Sequence, residues 1–438
     1  VAVIGGAVAG AEVAGRLADA GVEVVVFDQN PRPYGKIEDG LPRWHVALRD
    51  KEYQSIGKNL CRPGVHFVPN TRVGGDVEFR ELAEQWGFTG VVLANGAWRD
   101  RPLPLDGADE YLGKGLIYQN PFIIWFNHSH ESSYDGPTFE PKDGALVVGG
   151  GLASIDVVKV LMLETTLEKL RERGIEEDLV ELEVKGIPKI LARHDLRYED
   201  LGLEGATLFY RRAAEDMPLM EMPDGADEAR KKKVRAGRER MLGKAQEKYR
   251  FHFEPLCMPD ELIVEDGQLV GLRFRRTKME NGRPVATDET FERRGVYAIS
   301  SIGSIPEPIE GIDMKGELFH FLDWDLGRLG GYPTVFSAGN IVTGKGNIVA
   351  SRKHAREVAS TMVEAFLGLG DDGHAGEEGL ADAAHAAARE QAERIADEIR
   401  AQPPISGDAV AKIRARVSAR QAAVGYDGDY ASWIAKHS

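Results

Sequence analysis

At 438 residues the chain is long enough for two or three domains, each burying its own core. A formal net charge of −15, from 70 acidic against 55 basic residues, argues against nonspecific nucleic-acid binding. The only cysteines, Cys61 and Cys257, are far apart and form no C-x-x-C, so neither a dithiol relay nor an ordinary four-cysteine iron–sulfur cluster is expected, and sparse cysteine fits a cytoplasmic protein.

In chain order, residues 1–4 and 22–27 are short β-branched apolar runs, the pattern of strands buried on both faces of a parallel sheet, with a helix at 11–20 between them. Residues 40–60 read as irregular, then helical. A strand follows at 65–71, a short helix at 81–86, another apolar strand at 90–96 and a Pro-rich loop at 101–107. A second strand–turn–helix begins at Val147, with its helix at 153–163 continuing into 164–173 and a partner strand at 207–210. Residues 226–250 are charged and helical. Segments 261–265, 269–277 and 283–291 form a meander whose last turn is Asn281-Gly282, a pair suited to the positive φ angles of a tight hairpin. A strand at 296–302 is expected to return towards the first domain, followed by a strand at 334–339 and a helix at 347–366. After a Gly/Asp-rich linker come an Ala-rich helix at 381–401, stopped by Pro403-Pro404, and another at 409–423. The expected architecture is α/β, with two Rossmann-like three-layer dinucleotide-binding domains. The second, 144–299, is inserted into the first, 1–143 and 300–370, and 371–438 is a helical C-terminal extension. No apolar run reaches the roughly 20 residues of a bilayer span; the best, at 144–163, is broken by Asp156 and Lys159. The sequence starts on a strand without Met, so residues ahead of Val1 are expected and the lack of a signal peptide carries little weight.

The first glycine loop is Gly5-Gly-Ala7-Val-Ala-Gly10. Gly5 permits the tight turn, a small residue at Ala7 lets backbone approach a pyrophosphate, and Gly10 lets helix and strand pack closely, with the positive end of the helix dipole facing the phosphates. Asp28, ending the second strand, is placed to accept from ribose hydroxyls. The motif alone does not separate FAD from NAD. The second loop is Gly149-Gly-Gly151-Leu152-Ala153-Ser154, where Ser154 is small and able to donate to phosphate. Its partner strand ends in Arg211-Arg212 rather than in an acid; paired guanidiniums favour a 2′-phosphate, hence NADP(H) over NAD(H). Two such loops in one chain suggest two dinucleotides held face to face for hydride transfer. No His/Asp/Glu cluster has metal-ligand spacing.

Over about residues 1–367 these residues resemble the adrenodoxin reductase and FprA-like ferredoxin–NADP⁺ reductases, and more distantly the small subunit of glutamate synthase. Pro31-Arg-Pro-Tyr34-Gly35, followed by 39–45, looks like the family segment in which an aromatic–Gly pair lies by the flavin and a His closes the stretch. The segment 149–156 looks like the NADP loop with its trailing Asp156, and Tyr210-Arg211-Arg212 like the family's Arg-Arg element. Gly339-Asn340 and Gly344-Lys-Gly346-Asn347-Ile348 match the segment that closes over FAD. The resemblance implies FAD and NADP(H) as cofactors, a ferredoxin-type electron carrier as partner, and His45 and Asp156 as a proton-handling pair. Departures are Ala7 for the middle Gly, Asn340 for Asp, Lys36-Ile-Glu38 for an apolar-then-Arg stretch, and a long charged segment at 164–205.

Lys231, Lys232, Lys233, Arg235 and Arg238 form a basic run on a helix of an acidic protein. It is either a surface that steers an acidic ferredoxin or a solvated helix face. Two other functions stay open: an NAD(P)H-oxidising FAD subunit of a larger electron-transfer complex, with the Ala-rich helices as docking elements, and a non-enzymatic flavin-binding structural or sensor protein.

Overall fold

The structure is a computed structural model and describes the chain except residues 221, 223–224, 325, 344–367, 370–376 and 438. Two parallel five-stranded sheets organise it. In the first, the central strand Ala2–Ile4 lies between Val24–Phe27 and Val91–Leu93, with Val65–Val68 and Val335–Ser337 at the edges. The three inner strands are buried along their whole length, as their unbroken apolar runs require. Helix Val8–Asp19 makes the crossover between the first two strands, which pair in parallel.

The second sheet runs Leu116–Tyr118, Ala298–Ser301, Leu146–Gly149, Thr207–Phe209, His252–Glu254. Two of its strands differ from expectation. Leu116–Tyr118 lies in the stretch assigned by sequence to the first domain, yet it forms an edge of the second sheet. Ala298–Ser301, expected to return to the first domain, pairs in parallel with Leu146–Gly149 on one side and Leu116–Tyr118 on the other. The passage between the sheets is made instead by Arg99–Asp100 and Ser304–Ile305, which pair antiparallel.

Helix Gln119–His128, unanticipated in the sequence, ties the units together. Asn127 Nδ2 donates to the carbonyls of Glu38, Asp39 and Leu41. His128 Nε2 lies 3.0 Å from an Asp39 carboxylate oxygen, and that contact, ahead of a weaker contribution from Glu131, raises its pKa. Leu41, Trp44 and Leu48, from the first unit, are buried in the core of the second.

The antiparallel meander is Cys257–Glu265, Gln268–Glu280 and Arg283–Arg294. Its last turn has φ of 50° at Asn281 and 73° at Gly282, the tight-turn geometry expected of that pair. The C-terminal helices Glu377–Arg400, Gly407–Ala423 and Tyr430–His437 are no free extension. Ala392, Ile395, Ala396, Ile399, Tyr430 and Trp433 are buried in the first core against Val3, Ala11 and Phe336. Among the described residues no helix is long and apolar enough to cross a membrane, and no group of three or more His, Cys, Asp or Glu is arranged to hold a metal.

Candidate functional site

Both glycine loops are cradles that a side chain would fill. Gly5 has φ of 96°, and a Cβ there would lie 2.5 Å from the Ala94 carbonyl oxygen. A Cβ on Gly10 would lie 1.8 Å from the Gly5 carbonyl oxygen, so helix and turn touch through bare backbone. In the second loop a Cβ on Gly149 would come within 2.4 Å of the Ser301 carbonyl oxygen. At Gly150 it would meet the Tyr210 ring at 2.0 Å, while Gly151 faces open space. The sequence pointed to Gly149 and Gly151; the tight contact made by Gly150 was missed, because its partner Tyr210 is on a distant strand.

The helices leaving these loops share a second property. Helix Val8–Asp19 starts at Ala7 and helix Leu152–Arg171 at Gly151; neither start has a side-chain cap or an acid in its first turn. Side-chain caps occur at Asp178, Asp227 and Ser406, but helices such as Val46–Leu60 and Gln119–His128 also start without one, so what distinguishes these two starts is the bare glycine turn ahead of each. Two uncapped N-termini, each behind a bare glycine turn, leave amide donors and dipole for a phosphate. Leu152 and Ala153 form the first turn of the second helix. Ser154 is fully buried and its hydroxyl donates to the Gly151 carbonyl at 2.6 Å, so that proton is already engaged within the loop.

A cleft enclosing about 710 Å³, open solvent included, lies over the first loop. Gly5, Ala7, Asp28, Asn30, Gly35, Thr71, Gly74, Asn95 and Trp98 are among its walls. The buried Asn95 Oδ1 has no hydrogen-bond partner among the described residues, so a donor is wanted there. These features fit a dinucleotide. Asp28 accepts from the amides of Gly6 at 2.7 Å and Asn30 at 2.9 Å. Burial nonetheless raises its pKa to about 6. Ribose hydroxyls donate better to a carboxylate than to a carboxylic acid, so they favour the ionised form. Nucleotide affinity at the first loop is therefore expected to be full about a unit above pH 6 and to fall as pH drops through 6, levelling off at the lower affinity of the protonated site. Binding of FAD titrated from pH 8 to 5 checks this, and Asp28→Asn should flatten the profile while lowering affinity throughout.

Gly35, with φ of 51°, lines this cleft, and a Cβ on it would meet Ala7 Cβ at 2.9 Å. The Tyr34 ring turns inward, stacked on Tyr53 with centroids 3.9 Å apart. Gly339, with φ of 77°, brings its backbone against Ala9 at the start of the first helix, and Asn340 opens the short helix Asn340–Thr343. Gly346, Asn347 and Ile348, and the helix expected at 347–366, lie outside the described residues.

His45 and Asp156 are both buried at the junction of the two units. Trp44 connects them: its indole donates to His45 Nε2 at 3.0 Å, leaving Nδ1 to carry the ring proton. Its ring lies 4.7 Å from the Lys159 ammonium, which is 3.9 Å from an Asp156 carboxylate oxygen. The sequence had singled out neither Trp44 nor Lys159. Beside this junction lies Lys36, one of the departures from the family pattern. Its ammonium donates to Asn120 Oδ1 and Ser304 Oγ, each at 3.0 Å, and burial lowers its pKa to about 8.

Arg211 and Arg212 follow strand Thr207–Phe209, and among the described residues neither guanidinium is held by a carboxylate in an ion pair. In the basic run, Lys232, Lys233 and Arg235 are exposed, and Lys231 pairs with Glu228 at 2.7 Å. Arg238 does not belong to that surface. It is buried, and donates to the carbonyls of Met220 at 2.8 Å and Glu215 at 3.1 Å, pinning the loop that follows Arg211-Arg212.

No family model matches the chain. It is 23% identical over 428 residues to the mitochondrial NADPH:adrenodoxin oxidoreductase of Arabidopsis thaliana, covering 87% of this chain and 85% of that one. Over most of its length the chain is therefore similar to an adrenodoxin reductase. A local match to the glutamate synthase [NADPH] small chain of Bacillus subtilis is 32% identical over 161 residues, 36% of this chain and 31% of that protein. The structure of Mycobacterium tuberculosis FprA in complex with NADPH superposes with a TM-score of 0.63 at 18% identity, covering 96% of this chain and 90% of that one, so the two share a fold through most of their length.

Proposed function

We propose that this chain is an FAD-dependent oxidoreductase that moves a hydride between NADP(H) and FAD and exchanges single electrons with a ferredoxin-type iron–sulfur protein. The observation that carries the reading is the pair of bare glycine turns, each feeding an uncapped helix on its own parallel sheet. FAD, when bound, supplies the step from two-electron to one-electron chemistry. In this reading the first loop, Asp28, Gly35, Gly339 and Asn340 hold FAD; the second loop, Arg211 and Arg212 hold NADP(H). Leu41, Trp44 and Leu48, buried in the second core, keep water from the junction where the two rings would meet. Tyr34 backs the cleft through its stack on Tyr53.

His45 and Asp156 are assigned to proton handling at that junction. His45→Asn is expected to flatten the pH dependence of NADPH-driven flavin reduction, and an unchanged profile would remove the assignment. For the 2′-phosphate, Arg211→Ala/Arg212→Ala is expected to raise the KM for NADPH about 10²-fold and leave NADH turnover unaltered, since charge-assisted hydrogen bonds contribute about 1.5–3 kcal/mol each. Steady-state kinetics with both nucleotides decides it.

Lys232, Lys233 and Arg235 are the proposed docking face for an acidic carrier. An anaerobic NADPH titration at the flavin band, followed by addition of ferredoxins at several ionic strengths, tests the whole reading. Bleaching by NADPH and salt-sensitive ferredoxin reduction are expected; a flavin indifferent to NADPH would overturn the enzyme assignment.

A further inference from the structure

Side chains from the far end of the chain hydrogen-bond to the loops around the first cleft. The backbone at Gly339, which lies against Ala9 at the start of the first helix, is held by Gln391 on helix Glu377–Arg400. Gln391 Oε1 accepts from the Gly339 amide, and Nε2 donates to the Ser337 carbonyl, both at 3.0 Å. The wall at 70–74 is held by Arg420 on helix Gly407–Ala423. Its Nε donates to the Thr71 hydroxyl at 2.9 Å and its Nη2 to the Asn70 carbonyl at 3.2 Å, and the same guanidinium pairs with Asp76 at 3.3 Å. The wall at 28–35 is held by Trp433 on helix Tyr430–His437, whose indole donates to the Pro31 carbonyl at 2.8 Å. Each of three successive C-terminal helices therefore sends one side chain to a different loop: two to loops that line the cleft, at 28–35 and 70–74, and one to the Gly339 turn against the first helix.

These bonds end on loop atoms beside the cleft, where core packing alone would not require them. Asn70 adopts φ of 48°, a left-handed conformation uncommon outside glycine, and the bond to its carbonyl helps to hold it; Gly339, at 77°, adopts its conformation freely. Thr71 reaches back to Asp28, its amide donating to the Asp28 carbonyl at 2.8 Å, so the Arg420 contact also bears on the carboxylate proposed for the ribose. The first and third of the C-terminal helices bury Ile395, Ile399 and Trp433 in the first core, and the second buries Ile413 and Val417 in a separate cluster with Val68 and Phe79, which gives the three contacts a rigid base.

We propose that the C-terminal helices are a retention clamp for the dinucleotide at the first loop. Gln391, Arg420 and Trp433 act as positioning residues that set how slowly FAD leaves. This rests on the reading of that cleft as the FAD site. It differs from reading these helices as docking elements for a larger complex: their bonded faces are turned onto the loops around the cleft.

The test is release of FAD from purified holoprotein, measured by ultrafiltration after dilution, for Gln391→Ala and Arg420→Ala. Arg394→Ala, on the exposed side of the same helix as Gln391, is the control. Melting of the flavin-free proteins and NADP⁺ affinity are measured alongside. Release about tenfold faster in both variants, with the control, flavin-free melting and NADP⁺ affinity unchanged, is expected. Release at the wild-type rate overturns the clamp, and so does a loss of flavin that only follows a lower flavin-free melting temperature. Should an alanine variant not fold, Gln391→Glu and Arg420→Lys carry the same test: the first keeps the acceptor for Gly339 and loses the donor to Ser337, the second keeps charge and loses the fork. A wild-type protein that takes up no FAD would defeat the functional reading itself, a result distinct from bound FAD whose release the variants leave unaltered.

Discussion

Gly10→Val is expected to yield protein without flavin. The Cβ that any other residue adds at this position would sit 1.8 Å from the Gly5 carbonyl oxygen, about half of an ordinary contact, and the obstacle is backbone rather than a side chain able to swing away. The only relief is to slide helix Val8–Asp19 off the turn. That shift carries its uncapped N-terminus away from the place where the phosphates would sit, and it unpacks Ala11 and Ala14 from Val3 and Val26 in the first core. Two losses then combine: the anion site loses its geometry, and overpacking costs about 1–3 kcal/mol of stability. Absorbance at the flavin band after reconstitution with FAD is the measurement. Gly243→Ala is the matched control, since Gly243 lies within helix Glu228–Tyr249 with nothing near the added carbon, and it should retain flavin. A yellow Gly10→Val protein with wild-type affinity would mean that the first loop does not carry the cofactor.

The parts of this molecule that were legible in its sequence are those with a local physical cause. The buried strands of the first sheet announce themselves as β-branched runs because parallel strands covered on both faces have no polar side to show. The Asn281-Gly282 hairpin was legible because its turn demands two positive φ angles that few residue pairs supply. The glycine loops were visible for a related reason, although the bare contact at Gly150 was not. What escaped depends on contacts between distant segments. Helix Gln119–His128 has an apolar, aromatic sequence with no clear polar face, so its periodicity is weak, and its burial is set by the junction of the two units. The C-terminal Ala-rich helix reads as an appendage, yet small residues at Ala392 and Ala396 are what let it lie close against the first core. Arg238 was grouped with its charged neighbours because a sequence shows charge but not direction, and one turn of helix carries it from the surface to the carbonyls of Glu215 and Met220. The same limit hid the partnership of Trp44 with Lys159, whose segments meet only once both units are folded.

Lys159→Met is expected to destabilise the second unit by about 3–5 kcal/mol. Lys159 and Glu183 are both fully buried, with Nζ 2.6 Å from Glu183 Oε1. Tyr249 donates its hydroxyl to the same carboxylate oxygen at 2.8 Å, and its ring lies 4.9 Å from the ammonium. Methionine fills nearly the same volume, so the loss is not a cavity; it is the removal of the cation that makes a buried Glu183 carboxylate tolerable. Lys159→Met/Glu183→Leu should therefore recover most of the stability, because a buried pair gains little over a well-packed apolar pair of similar shape. Denaturant unfolding of the two variants and of Glu183→Leu alone forms the cycle; equal stability of Lys159→Met and wild type would show that the ion pair is not what the second core depends on. The double variant then separates stability from chemistry. It restores the core but leaves Asp156 without the ammonium at 3.9 Å and Trp44 without the cation at 4.7 Å from its ring. If Lys159 only supports the fold, NADPH-driven flavin reduction in the double variant will keep the wild-type pH profile. If it sets the charge around Asp156 and, through Trp44, the orientation of His45, the profile will shift although the protein is stable.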